Sequence, residues 1–288
     1  MISATADLRH QPTSEENYSE SKWFSFYDAK HDFWVSSRIG LEPNRKKANR
    51  WLIIALDGKI IYHDLATNLD LPQENWDKIT LGGLQFRTIE PMVRYGIKFG
   101  IDPIMLDVTW QASTPVFDYK DCLAPLPPSL AAMHYEQSGH VRGALSVAGK
   151  SYAIDGTGHR DHSWGVRHWE GFRSWTALMG HFGHFYFHVE QFDEKTTGIT
   201  RHGFVFVDGG NVSIKNAKIE PAFSGEAAFP RQFSLEIEDA IGNKYSIDGE
   251  VRLTCPLTFG NCMVGESFGT FSFSGQTNPG IIEYGFTR

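Results

Sequence analysis

The run Asp155-Gly-Thr-Gly-His-Arg-Asp-His-Ser-Trp-Gly-Val-Arg-His-Trp169 concentrates reactive side chains as no other window of the 288-residue chain does. Its fifteen residues hold two Asp, three His, two Arg and two Trp, and only Val166 is aliphatic. A buried strand or an amphipathic helix face needs more apolar positions than this, so the composition asks for a polar pocket with aromatic walls. An Asp beside a His and an Arg can fix the tautomer of an imidazole and favour its protonated form, as a general acid near neutral pH requires. Asp161, His162 and Arg160 are the candidates for that chemistry. Read as a strand, the run turns Asp161 to one face and His162 with Trp164 to the other. Arg160, Asp161 and Arg167 also admit a structural reading, as an ion-pair lattice at a barrel mouth.

A second concentration follows between Ser174 and Phe192, where His184, Tyr186, His188 and Glu190 alternate with Phe185, Phe187 and Val189. Period two means a strand with one polar face. Tyr186 and His188 share that face and could complete a proton relay with His162, or could simply face water. Trp164, Trp169 and Trp175 could stack on a planar or polyene ligand and shield a developing cation, with core packing the competing use of Trp169 and Trp175. On a helix, His181, His184 and His188 would make a zinc set, but on a strand His181 points away from the other two, so no metal is expected. Gly156-Thr-Gly158 precedes no helix pattern, and neither a dinucleotide cofactor nor a serine nucleophile at a strand-to-helix elbow is expected.

The elements that must position these residues are strands. Twenty-eight Gly, 21 Phe and 8 Trp suit sheets and tight turns rather than helices. Lys22 to Asp28 and Phe33 to Ile39 read as one hairpin; Asn49 to Ala55 and Lys59 to Asp64 flank Asp57-Gly58, the strongest hairpin signal in the chain. Leu84 to Glu90, Ile104 to Ser113 and Val141 to Val147 continue the pattern, as do five segments after residue 200. Pro115, Pro125, Pro127 and Pro128 make Thr114 to Leu130 a long connection of lid-like character. About fourteen to eighteen strands predict an all-β protein of two tandem antiparallel barrels or barrel-like sandwiches. The expected division is a flexible N-terminal arm over 1–21, a first β domain over 22–155 and a second, carrying the motif, over 156–288.

Net charge is −7 with a pI of about 5.9. The one basic run, Arg45-Lys-Lys-Ala-Asn-Arg50, is short, so a nucleic-acid partner is not expected. Cys122, Cys255 and Cys262 form no Cys-x-x-Cys pair, which favours a reducing, cytoplasmic setting. No apolar signal region and no run of about eighteen apolar residues predicts secretion or a membrane span.

Gly158-His-Arg-Asp-His-Ser-Trp-Gly-Val-Arg167 resembles the motif of the tandem lipocalin-like proteins that include the carotenoid hydratases, kievitone hydratase and the AttH-type bacterial proteins. The resemblance implies two calycin-type β-barrels and a cofactor-independent acid–base enzyme on a hydrophobic terpenoid, polyketide or phenolic molecule. Hydration or dehydration at a C=C bond is the first expectation, isomerisation or cyclisation the second, and a non-catalytic carrier the alternative from another class. It further implies that His162 and Trp164 face a Tyr-x-Asp pair, matched here by Tyr186 and His188, with His in place of the Asp. The expected catalytic set is therefore Asp161, His162, Tyr186 and His188, and the expected substrate contacts are Arg160, Trp164, Arg167, Trp169 and Trp175.

Overall fold

The computed structural model describes residues 2–288, and among them nineteen strands and only short 3-10 turns. The chain divides into two compact units: residues up to Asp118 with Met133–Val166, and Tyr119–Ala132 with Arg167–Arg288. The all-β expectation holds. No helix among the described residues is long and apolar enough to cross a membrane.

The first unit contains β1 (Tyr18–Asp28), β2 (Phe33–Glu42), β3 (Lys47–Leu56), β4 (Lys59–Asp70), β5 (Lys78–Leu81), β6 (Leu84–Glu90), β7 (Arg94–Ile101), β8 (Ile104–Ala112), β9 (Phe117–Asp118), β10 (Met133–Val147) and β11 (Lys150–Val166). They form one curled half-barrel sheet in the order β4-β3-β2-β1-β11-β10-β8-β7-β6-β5, with β9 paired to β10. Asp57 and Gly58 both take positive φ, as the tight hairpin between β3 and β4 requires. Phe24, Phe26, Val35, Leu52, Phe86, Ile97, Val108 and Trp110 fill the concave side, each large apolar side chain contributing roughly 1.5–3 kcal/mol by leaving water. Gly139 and Gly158 face each other across β10 and β11. A Cβ on Gly139 would lie 2.2 Å from the Trp110 ring and one on Gly158 3.2 Å from it, so this glycine pair is the floor on which that indole rests.

The second unit is a closed barrel of β12 (Phe172–Phe182), β13 (Phe185–Glu194), β14 (Gly198–Val207), β15 (Gly210–Ala222), β16 (Gln232–Asp239), β17 (Lys244–Phe259), β18 (Cys262–Phe273) and β19 (Gln276–Thr287). Leu178, Phe187, Val189, Val205, Leu235, Ile247 and Phe271 pack inside it. The proline-rich connection from Tyr119 to Ala132 belongs to this unit.

Two features differ from the sequence expectation. The motif does not open the second unit: β11 runs on to Val166, pairing with β1 on one side, from Tyr18↔Val166 to Tyr27↔Thr157, and with β10 on the other. A strand bonded along both edges cannot be cut at residue 155, so β11 stays whole in the first unit and the chain leaves it after Val166. The N-terminal stretch is also more than a loose arm. Ala4–Asp7 forms a 3-10 turn capped by the Ser3 side chain, Asp7 is 1% exposed, and β1 begins at Tyr18.

Candidate active site

Alternation along β11 sends Arg160, His162 and Trp164 to the concave side of the first unit and His159, Asp161 and Ser163 to the other. On the concave side β1 supplies Glu20 and Lys22, β10 supplies Tyr135 and Gln137, and β7 supplies Tyr95. The register places Lys22 and Tyr135 directly beside His162 on its two neighbouring strands. From the N-terminal stretch come Asp7 and His10.

Asp7 is the hub. Its carboxylate accepts hydrogen bonds from the Tyr135 hydroxyl at 2.7 Å, from the Met92 amide at 3.0 Å, from Arg160 at 3.5 Å and from the Tyr95 hydroxyl. Lys22 Nζ lies 3.2 Å from the same carboxylate and 2.9 Å from the Asp7 carbonyl. Burial works to raise the Asp7 pKa, but Arg160, Lys22 and the His162 hydrogen bond overcome it and hold the carboxyl far below the usual range. Glu20 follows the same balance: burial opposes its charge, yet hydrogen bonds from His10 and His162 bring it down to about 2. Lys22, fully buried, is pushed by desolvation to about 8 despite Asp7. The Arg160 guanidinium is sandwiched among the rings of Tyr95, Tyr135 and Trp110 at 4.4, 5.0 and 5.6 Å, and its Nε donates to Gln137.

His162 lies within this network, 0% exposed. Nε2 is 2.9 Å from Glu20 Oε1 and Nδ1 is 2.9 Å from the Tyr135 hydroxyl. Hydrogen counting fixes the roles. Ionised Glu20 can only accept, so Nε2 donates to it. The single Tyr135 hydrogen is committed to Asp7, so its oxygen accepts from Nδ1. A hydrogen on each ring nitrogen would satisfy both contacts at once. Aromatic rings surround it: Trp164 at 5.2 Å, Tyr135 at 5.4 Å and Trp76 at 5.8 Å between centroids. His10 donates from Nδ1 to Glu20 at 2.9 Å and lies flat on Trp164, 3.7 Å away at 9°.

The structure brings together Arg160, His162 and Trp164 of the expected residues. Asp161 does not orient His162, because alternation puts it on the opposite face with His134, Glu136 and His159. There His134 Nε2 bonds Glu136 at 2.7 Å and His159 bonds the other Glu136 oxygen. Two groups in this unit gather metal-capable atoms within 4.8 Å of one another, His10–Glu20–His162 and His134–Glu136–Asp161. In the first, both His–Glu contacts are 2.9 Å hydrogen bonds to one Glu20 oxygen.

Tyr186, His188, Arg167, Trp169 and Trp175 belong to the second unit. Tyr186 packs on His181 and Phe204, and His188 on Tyr119 and Phe204. Burial pushes His188 down to about 3, so it is neutral near pH 7. Arg167 bonds the Leu130 carbonyl and lies over Trp169, which in turn meets Trp175 at 5.2 Å. Gly265-Glu-Ser-Phe-Gly269 has the spacing of a nucleophile elbow, but it sits inside β18, paired on both sides, and Ser267 bonds Thr254. An elbow needs a sharp strand-to-helix turn.

Sequence reading missed Asp7, Glu20, Lys22, Tyr95 and Tyr135. Two signals were present: Glu20 and Lys22 are charges at the head of a strand that turns fully apolar at Phe24 and Phe26, and His134-Tyr-Glu-Gln137 enters β10 as a polar run. Asp7 gave none.

Solved structures sharing this architecture include kievitone hydratase from Nectria haematococca, at 13% identity and a TM-score of 0.72 over 99% of this chain and 93% of that one. A putative AttH from Nitrosomonas europaea matches at 16% identity and a TM-score of 0.66 over 93% and 92% of the two chains. CghA with Sch210972 matches at 12% and 0.66 over 95% and 89%. The likeness signalled by residues 158–167 therefore holds at the level of the fold. No curated protein sequence matches the chain. A family model described as a domain of unknown function (DUF7064) matches residues 3–288, and the chain belongs to that family.

Proposed function

We propose that the protein is a cofactor-independent acid–base enzyme acting on a hydrophobic small molecule, with hydration or dehydration of a C=C bond as its reaction. The observation that carries this reading is His162: an imidazole held between Glu20 and Tyr135 inside an aromatic enclosure. In the hydration direction His162 gives a proton to one alkene carbon, and the positive charge that develops on the other is met by the face of Trp164. Water adds to that carbon and its proton returns to the imidazole, so the enzyme is regenerated and one water is consumed. Glu20 holds Nε2 and keeps the ring oriented through the cycle, while the Nδ1–H leaves Tyr135 for the alkene carbon and returns to it at the end, and Asp7 holds the Tyr135 hydroxyl in place.

His10 occupies the face of Trp164 on which a flat substrate would stack. Its side chain is 24% exposed whereas that of His162 is fully buried, so displacement of the N-terminal stretch is the route by which a substrate reaches the ring. Kievitone hydratase, and CghA solved with Sch210972, agree with a fold that handles small molecules.

The test is a panel of terpenoid, polyketide and phenolic alkenes incubated with the protein in D2O. Deuterium should enter a carbon of at least one compound, and His162→Gln should reduce the rate by about 10²- to 10⁴-fold, the cost of losing a general acid. Binding without incorporation identifies a carrier and contradicts the enzyme reading. Incorporation without added mass from water selects isomerisation or cyclisation.

A further inference from the structure

Phe187, Val189 and Val205 point into the second unit's barrel, so alternation turns His188 and Glu190 on β13, and Thr200, His202 and Phe204 on β14, to its outer face. Register sets Phe192 beside Thr200, Glu190 beside His202 and His188 beside Phe204. His202 is 0% exposed, yet no hydrogen-bond partner among the described residues reaches either of its ring nitrogens, nor the Thr200 hydroxyl. Tyr119, from the proline-rich segment of the same unit, lies over His202 with centroids 6.3 Å apart at 25°, and Phe192 flanks it at 5.8 Å.

Buried polar atoms are nearly always paired, and a cluster of unpaired ones walled by rings needs an explanation. We propose that His202 and Thr200 form a ligand subsite that takes the hydroxyl of a flat, otherwise apolar molecule such as a phenol. A neutral imidazole offers one N–H and one bare nitrogen, the complement of a hydroxyl, which donates once and accepts. Burial keeps His202 in that neutral form by pushing it down to about 4. Tyr119 and Phe192 supply the flat walls. This subsite uses no residue of the His162 network, so it stands or falls independently of the acid–base reading.

The test uses the full chain labelled with 15N-histidine and two probes, 2-naphthol and naphthalene, which differ only in the hydroxyl. The expected result is that 2-naphthol moves the His202 ring resonances and binds about tenfold more tightly than naphthalene, the worth of one buried hydrogen bond. His202→Phe should abolish that preference. Thr200→Val, which keeps the shape of the side chain, should narrow it in a chain whose fold is undisturbed. Equal affinity for the two probes, a preference that survives both variants, or His202 resonances that stay fixed because only water occupies the site would each overturn the proposal.

Discussion

His162 in the first unit and His202 in the second are both 0% exposed, and their surroundings are opposite. His162 touches a carboxylate through Nε2 and a carboxylate-bound phenol through Nδ1, inside a network that also buries Lys22 and Arg160. His202 meets aromatic rings, and desolvation alone moves its pKa. Burial by itself therefore does not decide what a histidine does. The paired one is held by a carboxylate and a phenol, and the one left to aromatic neighbours becomes a neutral hydrogen-bonding group.

The largest expected effect breaks the first region. Asp7→Asn leaves Lys22 and Arg160 buried without their shared anion, and should cost about 3–5 kcal/mol of unfolding free energy in urea titrations. A loss below about 1 kcal/mol would mean that the network is slack and that Asp7 is not its hub.

Acid titration separates the two regions by pH window. Glu20 is depressed to about 2, and Asp7 also sits below the usual range, so their stabilisation is complete above about pH 4.5 and is lost as pH falls through the folded values. His188 and His202 are depressed to about 3 and about 4. The unfolded chain takes up protons near pH 6.5 that the folded chain refuses, so these two make stability decline already between about pH 6.5 and 4.5, by up to about 1.4 kcal/mol per pH unit each. His202→Phe should remove about half of the slope that this pair contributes in that upper window. An unaltered slope above pH 4.5 would contradict a neutral His202.

A smaller effect sharpens the link between the two carboxylates. Tyr135→Phe deletes the hydroxyl that accepts from His162 and donates to Asp7, and should cost about 1–3 kcal/mol in the same denaturation assay. The loss should shrink in the His162→Gln background, because the two side chains share one hydrogen-bond chain.

The motif was legible because reactive residues without apolar neighbours cannot be mistaken for a core strand, and period two correctly placed His162 and Trp164 on one face. The strands and the Asp57-Gly58 hairpin were legible for the same reason: alternation and turn chemistry are local. What failed was long-range. Asp7 lies 153 residues from Arg160 in the chain and meets it only through the curl of the first sheet. Asp161 was chosen for being next to His162 in sequence, and the pleat sends adjacent residues to opposite faces. Tyr186 and His188 are tied to His162 by a resemblance alone, since no local pattern fixes register between distant strands. His202 carried no signal, since a lone His between Arg201 and Gly203 reads like any other.

The proposed reaction requires a hydrogen on both nitrogens of His162, while burial keeps His188 and His202 neutral near pH 7. The direct measurement is the 15N spectrum of the histidine rings of the folded protein near neutral pH, with His162→Gln, His188→Phe and His202→Phe used for assignment. The account predicts two protonated-type nitrogens for His162, and one protonated and one bare nitrogen for each of the other two. A bare nitrogen on His162 would contradict it and remove the proton donor from the proposed reaction.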